Sequence, residues 1–481
     1  MLPSLDDSHA TLPDALWRRQ SPTPLRHPRL LDLNQPLLAD LGLSEAQADA
    51  CLWTGILGGE AAWPGSRPLA MKYGGHQFGG WNPDLGDGRG LLLGDLVTPD
   101  GRRVDIHLKG SGPTPFSRMG DGRAVLRSSV REYLAGEALH ALGVPTSRVL
   151  ALGGSDEPVR RERMETGATV LRVARTHIRF GHFEWLTHSG QQALLQPLAD
   201  HVIAREYPGC IGRDRYVAFF REVVLRTARL MADWQRVGFA HGVMNTDNFS
   251  IAGETLDFGP YGFLETYNPH HICNDSDQGG RYAWHRQPSV GLWNLNALAQ
   301  ALVPLIPVPA LKDCLAEYEP ALIKHYDEAM SLRLGLDGYR EGDRELVRDW
   351  LQLLHQGSHD FSRRFRELAR PLDGLLATLQ PDWGVQQEQA AAWMQRYADR
   401  VAASGLDEPA RQQRVEARNP LYVLRNYLAE IAIQGAEAGD LTALRDLLSA
   451  VRKPFASQPG LEAYAGEAPA WGRCLTLSCS S

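Results

Sequence analysis

The sequence has few cysteines, no long apolar run and no strong excess of either charge. Six cysteines in 481 residues are too few for a disulfide framework, and no two of them have the C-x-x-C spacing of a zinc site. No stretch approaches the roughly 18 apolar residues of a membrane-spanning helix, so we expect no membrane partner. The formal net charge of -7 gives no general attraction for nucleic acid, so we expect no nucleic-acid partner.

The first residues also lack the charged and apolar regions of a secretory signal, which predicts a cytoplasmic protein. The content of 43% hydrophobic and 22% charged residues is that of an ordinary globular protein. Because a single core rarely grows beyond about 300 residues, the length predicts more than one structural unit.

Changes of pattern divide the chain, since it has neither repeats nor a low-complexity linker. Residues 1–68 mix proline-rich connections with short apolar stretches and are predicted to be an N-terminal extension. Residues 69–182 are rich in strand patterns, residues 183–450 are mainly helical, and residues 451–481 form a tail. This order predicts an α+β protein of the two-lobed, protein-kinase-like type, with a β-rich N-lobe and a helical C-lobe.

The strand patterns of the N-lobe include a hairpin that ends in Lys109. Its strands are predicted at 91–97 and 103–109, and a helix at 125–142 and strands at 149–152 and 169–174 follow. In the C-lobe, apolar spacing predicts helices at 215–237, 292–305, 311–334, 345–356, 386–403 and 421–438. A small hairpin is predicted within residues 249–257.

A glycine-dense segment precedes the hairpin and ends in Gly86-Asp-Gly88-Arg89-Gly90. Glycines let backbone amides approach phosphate oxygens, and Arg89 adds charge. A purely structural loop would have the same residues. The order of glycine loop, strand-borne lysine and acidic helix favours a nucleotide site of the kinase type.

Lys109 needs a carboxylate partner from the following helix if it is to hold phosphates. Glu137 lies on the apolar stripe of that helix and Glu132 lies off it, so the helical wheel alone favours Glu137. Lys109 itself falls on the polar parity of its strand, which leaves a solvated surface lysine as an alternative.

The segment 241–259 has the strongest chemical pattern. It contains His241-Gly-Val-Met-Asn-Thr-Asp247-Asn248 and then Asp257-Phe-Gly. Kinase-like enzymes hold metal ions with an asparagine and an aspartate at these spacings, and the oxygen ligands of Asn248 and Asp257 suit Mg²⁺ or Mn²⁺. Val243 occupies the position of the usual catalytic aspartate, so Asp247 is the nearest candidate base. A simple Asp-Asn turn would explain Asp247 but not the motifs around it.

Two further segments contain candidate nucleotide ligands. Arg172 and Arg179 are seven residues apart at a strand end, where they face either a phosphate cleft or solvent. Asp121 and Gly122 lie in a short flexible loop before the predicted helix, which by itself is also consistent with a turn.

These motifs together closely resemble the selenoprotein O family, also called the YdiU family, of protein adenylyltransferases. The resemblance extends nearly from end to end and rests on Tyr73-Gly-Gly-His-Gln-Phe-Gly79, Leu85-Gly-Asp-Gly-Arg-Gly90, His107-Leu-Lys-Gly-Ser-Gly112, Gly120-Asp-Gly-Arg-Ala124, His241 to Asn248, Asp257-Phe-Gly-Pro-Tyr261 and Asn419-Pro-Leu-Tyr-Val-Leu-Arg-Asn-Tyr427.

The resemblance implies a pseudokinase-like fold that binds ATP inverted relative to kinases and transfers AMP to Ser, Thr or Tyr hydroxyls of other proteins. It implies that Asp247 is the base, that Asn248 and Asp257 bind the metal, and that Glu132, rather than Glu137, pairs with Lys109. The nucleotide contacts that it implies are Gly86, Gly88, Arg89, Lys109, Asp121, Gly122, Arg172, Arg179 and Asp257.

Many eukaryotic members of this family carry selenocysteine near the C-terminus, where this chain has Cys479. Cys273 lies in the segment that follows Asp257-Phe-Gly. We therefore predict a reversible Cys273–Cys479 disulfide that gates the active site, with glutaredoxin-type proteins as redox partners. Two unpaired thiols are the alternative.

Three other functions are compatible with the motifs. UMP transfer from UTP would use the same site. Kinase chemistry would be expected to have a carboxylate at position 243. A non-catalytic nucleotide-binding scaffold would not be expected to keep Lys109, Asn248 and Asp257 together.

Overall fold

A computed structural model of the chain describes residues 1–47, 49–379, 383–475 and 477–478. Strands dominate up to residue 174 and helices dominate after it, which confirms the predicted α+β, kinase-like two-lobed plan. No helix in the described ranges has the length and apolar character needed to cross a membrane.

The strands of the described chain are β1 (Trp17–Arg19), β2 (Arg29–Leu33), β3 (Leu69–Gln77), β4 (Gly80–Gly86), β5 (Gly90–Val97), β6 (Arg103–Lys109), β7 (Ala124–Val125), β8 (Arg148–Arg160), β9 (Met164–Ala174), β10 (Phe239–Ala240) and β11 (Gly262–Phe263). Among the described residues, β1 to β9 form one antiparallel sheet with the central order β1-β3-β5-β6-β9-β8-β2. Strand β4 pairs with β3, β7 pairs with β9, and β10 and β11 pair with each other.

The helices are α1 (Gln35–Asp40), α2 (Ala50–Gly58), α3 (Leu126–Ala141), α4 (Phe180–His188), α5 (Leu195–Glu206), α6 (Arg215–Val237), α7 (Gln287–Leu302), α8 (Val308–Ala316), α9 (Tyr318–Arg333), α10 (Asp343–Gln356), α11 (Phe361–Glu367), α12 (Leu372–Leu379), α13 (Gln387–Ala402), α14 (Glu408–Arg418), α15 (Asn426–Glu437) and α16 (Thr442–Arg452).

The hairpin predicted before Lys109 is confirmed as β5 and β6, with Gly90 opposite Lys109. The predicted N-terminal extension is more closely joined to the sheet than its pattern indicated, because β1 pairs with β3 and β2 pairs with β8. Much of the glycine-dense segment is also strand, since β3 and β4 pair across a two-residue turn. Because β4 extends to Gly86, the loop between β4 and β5 is short. Strand β6 lies in the middle of the sheet.

One predicted helix was wrong. The pattern at 311–334 indicated a single helix, but α8 ends at Ala316 and α9 begins at Tyr318. Pro320 explains the break, because a proline clashes with the carbonyl four residues earlier and is tolerated only in the first turn of a helix. The hairpin predicted at 249–257 is reduced to a tight turn closed by one antiparallel bridge between Phe249 and Thr255.

Helix α3 joins the two lobes. Every residue from Ser129 to Leu139 is buried, because β8 and β9 cover one side of α3 while α15 and α16 cover another. Arg452, at the end of α16, donates hydrogen bonds to Glu137 (2.8 Å) and to the hydroxyl of Tyr133 (3.0 Å). A single hydrophobic core therefore continues from α3 into the helical lobe.

Candidate active site

A cleft of about 830 Å³ is lined by the β4–β5 loop, by β6 and β9, and by the segment from Val243 to Pro260. The structure brings together at this cleft every residue predicted to bind nucleotide or metal, together with the predicted base: Gly86, Gly88, Arg89, Lys109, Asp121, Gly122, Arg172, Arg179, Asp247, Asn248 and Asp257.

The β4–β5 loop is held against a second loop that contains Phe116. A Cβ atom at Gly86 would lie 2.7 Å from the carbonyl oxygen of Met71 and the ring of Phe116, and one at Gly88 would lie 2.9 Å from the Phe116 carbonyl oxygen. Only glycine fits these positions without a shift of the backbone. Asp87, between them, accepts the Met71 N–H at 3.1 Å. The loop is thus pre-shaped, with Arg89 beside it.

Lys109 and Arg172 share the carboxylate of Glu132. The Lys109 Nζ lies 2.5 Å from Oε2 of Glu132, and Arg172 Nη2 lies 2.9 Å from the same oxygen. Burial lowers the pKa of Lys109 to about 8, although Glu132 opposes the shift. Burial would raise the pKa of Glu132, but Arg172 and Lys109 outweigh it and lower that pKa to about 2. The network therefore keeps two cations at the floor of the cleft.

Glu137 does not take part in this network. It accepts hydrogen bonds from Arg148 at 2.7 Å and from Arg452 at 2.8 Å, on the side of α3 that faces α16. The helical wheel was right that Glu137 points inward but wrong about its partner. Lys109 is buried and is not a solvated surface lysine.

Asp257 contributes a second carboxylate to the cleft, beside Arg172 and Arg179. Its carboxylate is 2.9 Å from Arg172 Nη1 and also contacts Arg179. Burial would raise the pKa of Asp257, but Arg179, Arg172 and Lys109 hold it well below its usual range. The residue has a φ of +57°, a left-handed conformation that is costly for aspartate and common at functional sites.

Asp247 lies on a short turn at the other wall of the cleft. Its Oδ2 accepts a hydrogen bond from the Gln77 amide at 3.3 Å, whereas its Oδ1 is buried without a hydrogen-bond partner among the described residues. Burial raises the pKa of Asp247 to about 7, against the opposing effect of Arg179. Arg179 also donates to the Asp247 carbonyl at 2.8 Å, which fixes the backbone of the turn.

The donor set of the cleft fits a hard divalent cation. The Asn248 amide nitrogen donates to the Val243 carbonyl at 3.0 Å, which orients the amide and leaves its oxygen as the ligand atom. With the carboxylate of Asp257, which lines the same cleft, both predicted donors are oxygens, as Mg²⁺ and Mn²⁺ prefer. The described ranges contain no group of three or more His, Cys, Asp or Glu residues arranged around a metal position.

The loop from Arg118 to Arg123 borders the cleft mouth. Asp121 accepts hydrogen bonds from Arg161 at 2.7 and 3.0 Å and from the Arg123 N–H at 2.9 Å. Gly122 has a φ of +69°, and a Cβ there would lie 2.1 Å from the backbone of Gly112, so this position requires glycine. The loop is therefore firmly shaped at Gly122.

Several residues of the cleft were not predicted from the sequence. Arg160 comes from the end of β8 and Arg161 from the turn after it, and Gln77, Phe78 and His107 line the cleft beside the predicted residues. Gln77 and Phe78 belong to the glycine-dense segment, but only the path of β3 brings them to Asp247. His107 was detectable, since it lies two residues before Lys109 and therefore shares its face of β6.

The predicted disulfide involves Cys479, which lies outside the described residues. Cys273 is buried, its Sγ donates to the Ala240 carbonyl at 3.5 Å, and burial raises the pKa of its thiol to about 12. The Leu477 carbonyl accepts the Asp275 N–H at 2.8 Å. The described end of the tail thus lies beside the segment that holds Cys273, and the pairing itself stays a prediction.

Comparison with known proteins gives a consistent result over the whole chain. The family model described as "Protein adenylyltransferase SelO" matches residues 5–452. A protein from Pseudomonas fluorescens named "Protein nucleotidyltransferase YdiU" is 47% identical over 481 residues, which cover 99% of both chains. A protein of the same name from Chromohalobacter salexigens is 49% identical over 486 residues, which cover 99% of this chain and 97% of the relative.

Proposed function

The chain belongs to the SelO family and is an enzyme of the nucleotidyltransferase class, and from this premise we propose that it transfers AMP from ATP to Ser, Thr or Tyr hydroxyls of other proteins. The acceptor oxygen attacks the α-phosphorus, the bond from that phosphorus to the bridging oxygen breaks, and pyrophosphate leaves. We also propose that the reaction takes place in the cytoplasm.

The observation that carries this proposal is that a valine, Val243, stands at the position of the kinase catalytic aspartate, while the carboxylate in the cleft belongs to Asp247. Val243 lines the cleft where a kinase has its catalytic carboxylate, and it can neither accept a proton nor orient a hydroxyl. Asp247, four residues on, has an oxygen that lacks a hydrogen-bond partner within the described part of the chain, and burial raises its pKa to about 7. A base displaced in this way supports an acceptor position different from that of a kinase.

In this mechanism Asp247 accepts the proton of the attacking hydroxyl through Oδ1, while Gln77 holds Oδ2. Lys109, Arg172 and Arg179 neutralise the negative charge that develops on the phosphates, in a site where burial makes their electrostatic effect strong. Asn248 and Asp257 would hold Mg²⁺ or Mn²⁺, which supplies further charge neutralisation when bound. Glu132 keeps Lys109 and Arg172 in position.

The test is incubation of the protein and an acceptor mixture with ATP labelled at either the α- or the γ-phosphate, in parallel with α-labelled UTP. We expect label from the α-position of ATP, a mass increase equal to one adenylyl group, and release of pyrophosphate. Label from the γ-position alone would indicate kinase chemistry. More efficient transfer from UTP would indicate UMP transfer, and binding without transfer would indicate a scaffold.

We further propose the redox control predicted above. In it the thiols of Cys273 and Cys479 form one disulfide while a disulfide of a glutaredoxin-type protein is reduced to two thiols. Because Cys273 is buried, its segment must open before exchange. The test is the mass of the oxidised protein with and without reductant, with Cys479→Ala as the control. Equal activity in both states would contradict it.

A further inference from the structure

The tip of the β3–β4 hairpin has a residue that its backbone does not favour. Gln77 pairs with Gly80, and the two turn residues between them, Phe78 and Gly79, have φ values of +50° and +87°. This is the geometry of a type I′ turn, in which Asn, Asp or Gly is preferred at the first position and a bulky side chain is strained. The Phe78 side chain is nevertheless 43% exposed. Turn stability therefore does not explain an aromatic residue here; the Phe78 ring packs against the Tyr282 ring, with 5.0 Å between the centroids, and the rest of it is exposed.

The same tip is fastened to the catalytic segment. The Phe78 N–H donates to Asn245 Oδ1 at 3.2 Å and to the Tyr282 hydroxyl at 3.0 Å. The neighbouring Gln77 amide donates to Asp247. The backbone of the tip is thus held at the edge of the cleft, and the Phe78 ring rests on the Tyr282 ring beside it. Strain that persists beside a reactive group is typical of a functional position.

The exposed surface continues from Phe78 to Trp293 and Arg281, which together we call the aromatic rim. Trp293 is 37% exposed, and the Arg281 guanidinium lies 4.8 Å from the centre of its ring. The guanidinium also lies against Gly79, where a Cβ atom would be 3.3 Å from it. Within the part of the chain that the structure describes, no carboxylate lies within ion-pair distance of Arg281. The rim therefore offers two apolar rings and an arginine without an acidic partner.

The nucleotide is a poor occupant for this rim. Phe78 lines the same cleft as the proposed phosphate ligands, but β4 separates Gly86 from the hairpin tip by about 20 Å, at roughly 3.3 Å per residue, so a nucleotide held at the β4–β5 loop leaves the tip uncovered. The rim lies instead beside Asp247, which the acceptor hydroxyl must reach. Because Gln77, the neighbour of Phe78, donates to Asp247, a protein segment that brings a hydroxyl to this base must come close to the hairpin tip.

We propose that the aromatic rim is the docking edge for the acceptor protein. An extended segment would place its hydroxyl residue at Asp247, pack a neighbouring apolar side chain on Phe78 and Trp293, and pair an acidic side chain with Arg281. This proposal rests on the proposed function, because it assigns the acceptor of that reaction. It makes Phe78 and Arg281 residues that determine acceptor specificity.

The experiment is a positional-scanning library of hydroxyl-containing peptides, incubated with ATP labelled at the α- or the γ-phosphate. We expect wild-type protein to select an apolar residue next to the hydroxyl and an acidic residue nearby. In the Phe78→Asn variant the preference for an apolar residue next to the hydroxyl should disappear. The kcat/KM for peptides with that apolar residue should fall about tenfold, which is the effect of losing one apolar contact. Because asparagine suits a type I′ turn, the unfolding midpoint and the Kd for ATP should be unchanged.

Arg281→Glu should reverse the charge preference, so that peptides with lysine become the better acceptors. Tyr339→Asn removes another exposed aromatic side chain, outside the rim, and serves as the matched control with wild-type selection. Selection that survives Phe78→Asn, or wild-type protein that selects no neighbouring residue or modifies no peptide, would overturn the proposal. Label from the γ-phosphate alone would refute AMP transfer. The peptide selection of wild-type protein and of Phe78→Asn could still be compared in that case, so the two failures are distinguishable.

Discussion

Gly75 tests whether the position of Asp247 controls the rate. A Cβ atom at Gly75 would lie 2.5 Å from Oδ1 of Asp247, 2.8 Å from its Cβ and 3.0 Å from its Cγ. Since ordinary contacts of a Cβ begin near 3.4 Å, the Gly75→Ala variant must move the Asp247 carboxylate by about 1 Å. Arg179 holds the Asp247 backbone, so the displacement falls on the side chain.

A misplacement of about 1 Å in a reacting group typically lowers the rate about 100-fold. We therefore expect Gly75→Ala to lower kcat for AMP transfer about 100-fold at saturating ATP. The Kd for ATP, measured by calorimetry, should stay within about threefold of the wild-type value, because the change affects the acceptor side of the cleft. Overpacking of this kind also lowers stability by about 1–3 kcal/mol.

The matched control is Gly80→Ala in the same hairpin. A Cβ at Gly80 meets only the Gln77 carbonyl oxygen, at an ordinary 3.5 Å, and Gly80 does not have a positive φ. This variant should keep wild-type activity. Equal kcat values for the two variants would show that the carboxylate of Asp247 does not need its present position, and the role proposed for it would be wrong.

Three further changes test the electrostatics. Glu132→Gln removes the negative charge that neutralises Lys109 and Arg172. We expect the free energy of unfolding, measured by chemical denaturation, to fall by about 3–5 kcal/mol. ATP binding, measured by calorimetry, should be weaker. Asp257→Asn should abolish transfer and weaken Mn²⁺ binding measured by electron paramagnetic resonance; full activity with bound Mn²⁺ would place the metal elsewhere. Burial raises the folded-state pKa of Glu254 from 4.5 to about 8, so its contribution to stability is present below about pH 4.5 and lost as pH rises through 8. The free energy of unfolding of Glu254→Gln should therefore exceed that of wild type by a few kcal/mol at pH 9 and not at pH 4; parallel pH profiles would contradict this.

The sequence was sufficient where a motif is local. The glycine loop, the hairpin to Lys109 and the segment 241–259 have their chemistry within a few neighbouring residues, so their order along the chain predicted the cleft. Parity failed for Lys109 because both faces of β6 are covered, and every residue from Val104 to Lys109 is buried whichever face it lies on. A polar residue on such a strand need not face solvent.

Helical periodicity failed for α3 for a related reason. The wheel assumes one buried side, but all residues from Ser129 to Leu139 are buried. Glu132 bonds to Lys109 of β6, and Glu137 bonds to Arg148 of β8 and to Arg452 of α16, so both acids are inside and periodicity cannot choose between them. The role of Phe78 was equally hidden, because its turn geometry and its bonds to Asn245 and Tyr282 depend on residues far away in the chain.

The packing of α16 against α3 has a consequence for folding during synthesis on the ribosome. Glu132, which holds the two cations of the cleft, lies on a helix that is covered on one side by α15 and by α16, the helix at Thr442–Arg452. Roughly 300 residues separate these helices, so at about 5–20 residues per second the first lobe waits some 15–60 s for its partner. We therefore expect the nascent chain to become active only after α16 has been synthesised, and a chain that ends before α16 to be inactive.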